Sequence, residues 1–371
     1  MGNRRRKLWG ETIPNAPQTI ESSKLRNSTL NTDKKFSPGR GTLNRLRDYE
    51  NLTPELVIQA VEDAIGKRMT GLISPLPSYI NRVYELQAMD ETRLIAKFYR
   101  PGRWTLEMIQ EEHDFIQDCA DDEIPAIAPL QVGNGKTLHQ AGDYYFTVFP
   151  KKQGRLFEIN NDEDWIRIGA LIGRIHVAGS RQDASTRIRL DPALSTKADL
   201  KELLESGLIS RNYESTFNQL GQEILDSIIE PFQNTEFIRI HGDCHRANIL
   251  DRMDEGLIII DFDDMVVGPP VQDLWLLLPD RVEHCRKETN LFLEGYEQFK
   301  EFDDSTLSLV EPLRIMRNIY YLAWCGRQVE DLQFRKHFPD WGCDEFWRKE
   351  VCDLQQQLEV IRKQPSLSGN C

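Results

Sequence analysis

Long apolar runs are missing from this chain of 371 residues. The longest, around residues 257–260 and 274–278, fall far short of the roughly 18 residues that a membrane-spanning helix requires. No apolar stretch of signal-peptide length follows the basic start at residues 1–7, so secretion has no support. Paired cysteines are missing as well. Cys119, Cys244, Cys285, Cys325, Cys343, Cys352 and Cys371 are odd in number and scattered, and none forms a C-x-x-C pair. That usage excludes a disulfide scaffold and predicts reduced thiols in a cytoplasmic protein. Internal repeats are absent, which excludes a solenoid. Arg6 stands where a myristoylation signal opening with Met1-Gly2 requires Ser or Thr, so that lipid anchor is excluded too.

With 40% hydrophobic residues, the chain has enough apolar material for a substantial core, and its length suits two or three lobes or domains. The net charge of −13 conceals an asymmetry: residues 1–48 carry about +7, leaving roughly −20 on the rest. Residues 1–52 are also rich in Asn, Ser, Thr, Pro and Gly and show no sustained apolar period, so a disordered tail is expected there. A basic tail can bind nucleic acid or an acidic membrane surface. The expectation here is a solvated extension, with neither nucleic acid nor membrane as partner.

The ordered chain is expected to begin near Thr53. Pro54 leads into the apolar period of Leu56, Ile58, Val61 and Ile65, with Gly71 closing the helix. Strands are predicted at residues 81–86, 93–98, 127–132 and 144–149, with a helix at 105–119 inserted among them. After residue 165 the pattern turns helical, at 165–177, 197–204, 217–229, 274–278, 307–325 and 346–361, interrupted by short strands at 237–240 and 257–260. A sheet-rich lobe followed by a helix-rich lobe accounts for this order, giving the class α+β.

Chemistry concentrates between those two short strands, in Ile240-His241-Gly242-Asp243-Cys244-His245-Arg246-Ala247-Asn248 and then Ile260-Asp261-Phe262-Asp263. Phosphoryl transfer needs a carboxylate beside the incoming hydroxyl and oxygen ligands that hold magnesium against phosphates. Asp243, Asn248 and Asp261 supply those groups in order, whereas taken singly each suits a turn, a helix cap or a strand end. The alternation of His241, Asp243 and His245 offers a competing zinc-hydrolase reading, because in a strand all three would share one face. Gly242 points to a tight loop instead.

Lys97 sits in an apolar strand on the face shared with Ile95, and a buried ammonium needs an anionic partner. At about 100° per residue, Met108, Ile109, Phe115, Ile116 and Cys119 form one arc with Glu112 near its middle and Glu111 at its edge. A carboxylate centred on a buried face is costly unless paired, so Glu112 is the expected partner of Lys97. The alternative is a solvent-seeking Lys97 and a surface Glu112. Asp273 suits either a helix cap or a buried brace for the loop at 241–248. Tyr320, Tyr321 and Trp324 fit a core stripe better than a substrate platform.

The segments HGDCHRANIL, IIIDFDD and GPPVQDLW, with PLPSYINRVYEL, AKFYRPGRWT, EEHDFI, FTVFP, GRIH and PLRIMRNIYYLAW, resemble the aminoglycoside phosphotransferase and choline kinase group. Within that group they resemble the bacterial stress response kinase A family of serine/threonine protein kinases, over about residues 56–358. The resemblance implies a bilobal protein-kinase-like fold, with a nucleotide-binding lobe at 53–150 and a catalytic and substrate lobe at 151–371. It implies ATP and Mg2+ as cofactors and Ser or Thr hydroxyls in proteins, itself included, as acceptors, with the protein acting as a monomer in a stress response. Asp243 becomes the proton acceptor, Asp261 a catalytic metal ligand together with Asn248, and Ser78 and Asn81 contacts to the nucleotide beside Lys97 and Glu112. Phe149 lies at the link between lobes, beside the adenine edge. A small-molecule kinase and a catalytically silent nucleotide-binding scaffold remain alternatives. Two positions depart from the ordinary protein-kinase pattern: Gly242 replaces Arg, and Asp263 replaces the Gly after Phe262. Residues 74–83 contain no glycine, so a three-glycine phosphate loop is absent.

Overall fold

In the computed structural model, which describes residues 49, 51–78, 80–133, 135–252 and 255–364, helix α1 (Pro54–Ile65) begins at an N-cap formed by Thr53. The Thr53 hydroxyl accepts from the Leu56 N–H, and Pro54 occupies a first-turn position where no intrahelical donor is needed. The helix ends at Gly66, whose φ of 68° gives the left-handed cap. Gly71 was the expected stop, but it lies inside a strand, β1 (Met69–Leu76). The expected tail at residues 1–52 lies outside the described residues except at its end. There Tyr49 and Leu52 are buried, and the Tyr49 hydroxyl donates to the Phe98 carbonyl at 3.0 Å. Ordered chain therefore starts before Thr53.

Strands β2 (Arg82–Ala88) and β3 (Arg93–Phe98) precede helix α2 (Leu106–Asp121), followed by β4 (His139–Ala141) and β5 (Tyr144–Pro150). They form an antiparallel sheet of order β1-β2-β3-β5-β4. One face is apolar: Leu86, Leu94, Ala96, Phe98, Phe146 and Val148 pack with Val57 and Val61 of α1, and the Phe98 and Phe146 rings stack at 4.8 Å. The predicted strand at 127–132 is a correction. Pro129 removes a ladder donor from that stretch, which stays irregular, and β4 takes the place beside β5.

The remaining chain is mostly helical. Strand β6 (Arg155–Leu156) leads to helices α3 (Asp162–Gly179), α4 (Lys197–Glu205) and α5 (Glu214–Ile228). Strands β7 (Ile238–Ile240), β8 (Ile249–Arg252), β9 (Gly256–Ile259) and β10 (Val266–Gly268) follow. The chain then runs through helices α6 (Val271–Trp275), α7 (Arg286–Tyr296), α8 (Val310–Gly326), α9 (Leu332–His337) and α10 (Asp344–Lys363). Two small sheets, β6-β8-β9 and β10-β7, frame the segment that carries the chemical motif. Helices α3 and α7 cross in backbone contact. A Cβ on Gly169 would lie 1.9 Å from the Phe292 carbonyl oxygen, and one on Gly295 would lie 1.9 Å from that of Ile166. The architecture is the bilobal, kinase-like α+β arrangement.

Candidate active site

Residues 241–248 form a loop between β7 and β8, fixed from beneath by α6. Asp273, fully buried, accepts from the backbone N–H groups of His241 and Gly242, each at 2.8 Å. It is the brace rather than a cap. His176 of α3 lies 3.1 Å from Asp273 Oδ2 through Nε2 and 3.0 Å from the Tyr296 hydroxyl through Nδ1. Because the carboxylate only accepts, Nε2 carries the proton and Nδ1 accepts from Tyr296. Gln272 donates to the Gly242 carbonyl at 3.0 Å. Gly242 itself has φ +79°, and a Cβ there would meet the Asp264 carbonyl oxygen at 2.3 Å. The position that holds Arg in ordinary protein kinases admits only glycine in this backbone.

His241, Asp243 and His245 do not form a one-faced strand, since β7 stops at Ile240. The His241 ring donates from Nε2 to the Ile260 carbonyl at 2.9 Å and rests against Phe262, while the His245 ring lies beside Asp243. Among the described residues no group of three His, Cys, Asp or Glu side chains has the arrangement of a metal site.

Asp243 is held on both carboxylate oxygens. Arg317 Nη2 of α8 donates to Oδ1 at 2.7 Å, and His245 Nε2 lies 3.3 Å from Oδ2. Burial opposes its charge, but the Arg317 guanidinium and His245 outweigh burial and keep the carboxyl well below the usual range. Asn248 donates from Nδ2 to the Asp243 backbone carbonyl at 3.0 Å, which leaves its carboxamide oxygen as the end available to a cation. Asp261 follows β9 with φ 64° and ψ 63°, a left-handed conformation that is uncommon outside glycine and concentrates at functional sites. Phe262, next to it, is buried edge-on against Phe115 of α2 with ring centroids 5.6 Å apart.

Across the cleft, the Lys97 ammonium of β3 lies 3.2 Å from Glu112 Oε1 of α2, the expected pairing. Asp263 at 3.1 Å and Asp261 at 3.3 Å complete its surroundings. Burial opposes the Lys97 charge, yet Asp263 and Glu112 more than compensate and hold the ammonium protonated well above its ordinary range. Asp263 is paired again with Arg103, which also binds Asp264, and Arg187 donates to the Asp263 backbone carbonyl at 2.6 Å. The carboxylate in place of the usual glycine thus ties the two lobes together. Glu111, at the edge of the α2 arc, accepts from the backbone N–H groups of Thr186 and Arg187 instead.

Ser78, Asn81, Lys97, Glu112, Phe149, Asp243, Asn248 and Asp261 all line one cleft of about 430 Å³ between the lobes. Asn81 is turned partly away: its Oδ1 accepts from the Arg100 N–H at 3.2 Å, which fastens the β1–β2 loop. Trp324 lines the cleft while remaining part of a buried cluster with Phe334, against which Ile80, Tyr320 and Tyr321 pack. Of the predicted stripe, Trp324 alone is among the cleft-lining residues, while Tyr320 and Tyr321 pack behind it. A larger, more open groove of about 790 Å³ between α1, α2 and β4 contains none of the eight.

Sequence reasoning did not find Arg317, Arg103, Arg187 or His176. One signal was available for the arginines. Asp261, Asp263 and Asp264 follow an apolar strand directly, and carboxylates entering a core require cations from elsewhere in the chain.

Residues 72–310 match the model of the phosphotransferase enzyme family. This chain belongs to that family. The phosphotransferase is 37% identical over 320 residues to stress response kinase A of Escherichia coli strain K12, covering 85% of this chain and 96% of the relative. It is 34% identical over 319 residues, with the same coverage, to serine/threonine protein kinase RdoA of Salmonella typhimurium. The phosphotransferase also shares its fold, at 19% identity and a TM-score of 0.64, with the solved amicoumacin kinase hAmiN, covering 87% of this chain and 96% of that one.

Proposed function

We propose that this phosphotransferase moves the γ-phosphate of ATP to Ser or Thr hydroxyls of proteins, with magnesium, in a cytoplasmic stress response. The observation that carries this reading is the convergence of Lys97, Glu112, Asp243, Asn248 and Asp261 on one cleft. Lys97, held by Glu112, contacts the phosphates; Ser78 and Asn81 approach them from the β1–β2 loop; the adenine edge lies along Phe149 and the chain that follows it. Asn248 and Asp261 would hold Mg2+, since a carboxamide oxygen and a carboxylate are hard donors suited to that ion. When bound, the ion neutralises charge on the phosphate oxygens. Asp243 accepts the hydrogen of the acceptor hydroxyl and orients its oxygen toward the γ-phosphorus. A carboxylate held so far below its usual range is a weak base, so its main part is orientation, with the proton transferred late as the phosphoryl group arrives.

The relative named serine/threonine protein kinase RdoA, at 34% identity, supports a protein acceptor. One geometric feature favours a second reading, a small-molecule acceptor. Ile80 of the β1–β2 loop packs on the Trp324 cluster, both residues line the cleft, and one solved fold relative is an amicoumacin kinase. Incubation with γ-labelled ATP, alone and with cell extract, followed by mapping of the label, distinguishes the two. Label on Ser or Thr of protein supports the first, and label confined to metabolites replaces it with the second. No label in either fraction sinks both.

A further inference from the structure

We propose that Arg317 is a positioning residue for phosphoryl transfer, fixing the rotamer of Asp243 so that its Oδ2 edge meets the acceptor hydroxyl. This rests on the reading of Asp243 as the acceptor-side carboxylate. The loop that carries Asp243 is held from two directions. Helix α6 holds its backbone, through Asp273 at the His241 and Gly242 N–H groups. The Asp243 carbonyl is fixed separately by Asn248. These contacts leave the Asp243 side-chain torsions undetermined. Arg317, from α8, supplies the missing restraint through a charge-assisted bond of 2.7 Å to Oδ1.

The two carboxylate oxygens are not equivalent. Oδ1 faces the guanidinium, whereas Oδ2, among the described residues, meets the His245 ring at the longer distance of 3.3 Å. An incoming hydroxyl therefore displaces the weaker contact and finds Oδ2 already aimed. Arg317 is only 30% exposed at its side chain and adjoins the acidic end of the cleft near Asp264, so it keeps its charge and its place. A planar, permanently charged group suits a fixed rotamer better than a flexible ammonium.

The sign of the effect separates positioning from base strength. A cation beside a carboxylate weakens it as a base, so if base strength limited the rate, removing Arg317 would raise turnover. If orientation limits it, turnover falls. With casein as acceptor and ATP as donor, Arg317→Met is expected to lower kcat by about 10- to 100-fold while the KM for ATP stays within about twofold. Arg317→Lys, which keeps charge and most of the volume, should recover part of the loss. In an Asp243→Asn background, Arg317→Met should add less than about a further twofold, because the partner through which it acts is already disabled. A kcat equal to or above wild type in Arg317→Met overturns the proposal, and so does an equal loss in both backgrounds. Should Arg317→Met fail to fold, Arg317→Lys with the same cycle decides: an undiminished kcat, or an equal loss in both backgrounds, removes the positioning role. Full activity of Asp243→Asn alone is a different failure, that of the reading on which this one rests.

Discussion

The Lys97 ammonium lies 3.3 Å from Asp261 Oδ1, an ion pair that joins a β3 side chain of the sheet lobe to a residue two positions beyond β9 in the helical lobe. Lys97 is buried, while 57% of the Asp261 side chain is exposed to the cleft. The two ends of this pair therefore differ in what they can do next. On the proposed reading Asp261 would serve the cation and the ammonium the phosphates, with Glu112 and Asp263 remaining as the partners that keep Lys97 in place.

Lys97→Ala is expected to reduce kcat/KM for ATP by about 10²-fold or more, and Glu112→Gln by about tenfold. Removing the ammonium also leaves the buried Glu112 carboxylate without its ion-pair partner, while Asp263 keeps Arg103. Such a change is of the class that costs about 3 kcal/mol or more, so thermal unfolding should shift down in Lys97→Ala. Turnover near wild type in a folded Lys97→Ala protein would remove the pair from the mechanism.

Asp243→Asn is nearly isosteric and leaves Asn248 and Asp261 intact. Transfer should fall by about 10² to 10⁴-fold, while equilibrium binding of magnesium–ATP, read by calorimetry, changes little. A matching loss of binding would reassign Asp243 to the nucleotide site.

Chelation should abolish transfer, and magnesium or manganese should restore it to the wild type but not to Asp261→Ala. Oxygen donors prefer such hard cations, so zinc should not substitute. Full activity in zinc alone would point back to imidazole ligation.

His113 of α2 is buried and contacts the Tyr99 hydroxyl through Nε2 at 2.9 Å and Thr137 Oγ through Nδ1 at 2.8 Å. Burial, with help from the nearby Lys97 charge, carries its pKa from 6.5 down to about 3. The unfolded chain therefore takes up this proton first as the solution is acidified. The stability tied to neutral His113 is complete above about pH 6.5 and is lost progressively toward pH 3. Denaturant titration at pH 7 and pH 5 should show His113→Gln losing about 2 kcal/mol less than wild type between the two. Equal losses would mean the imidazole is protonated in the folded protein.

Deleting residues 1–48 should leave kcat for casein unchanged, because the eight proposed site residues all lie beyond them and the buried Tyr49 anchor is kept. A soluble truncation with less than about a tenth of wild-type turnover would show that the tail completes the site.

Much of the site was legible because its parts are local. The loop at 241–248 and the stretch from β9 into Asp261 carry their chemistry within a few residues, and helical periodicity alone centred Glu112 on the buried arc of α2. What escaped was long-range or masked by residue type. Arg317 meets Asp243 across 74 positions of sequence, and Arg103 meets Asp263 across 160, so neither contact leaves a local pattern. Strand β1 was hidden by Gly71 and Pro75, residues that ordinarily punctuate structure. Both are tolerated here because β1 is an edge strand with an irregular register between Met69 and Ile73. The strand expected at 127–132 failed for the converse reason: its apolar residues are real, but Pro129 removes one donor, and the stretch meets the sheet through the Leu130 N–H bond to Val148 of β5.

The glycines where α3 meets α7 matter beyond packing. Helix α3 carries His176 and α7 carries Tyr296, and through Asp273 these two set the position of the His241–Gly242 backbone. A single methyl group added at Gly169 or Gly295 pushes the helices apart and tilts that relay. A screen for inactive alleles should therefore recover Gly169→Ala and Gly295→Ala as folded, poorly active proteins, altered at a surface no substrate reaches.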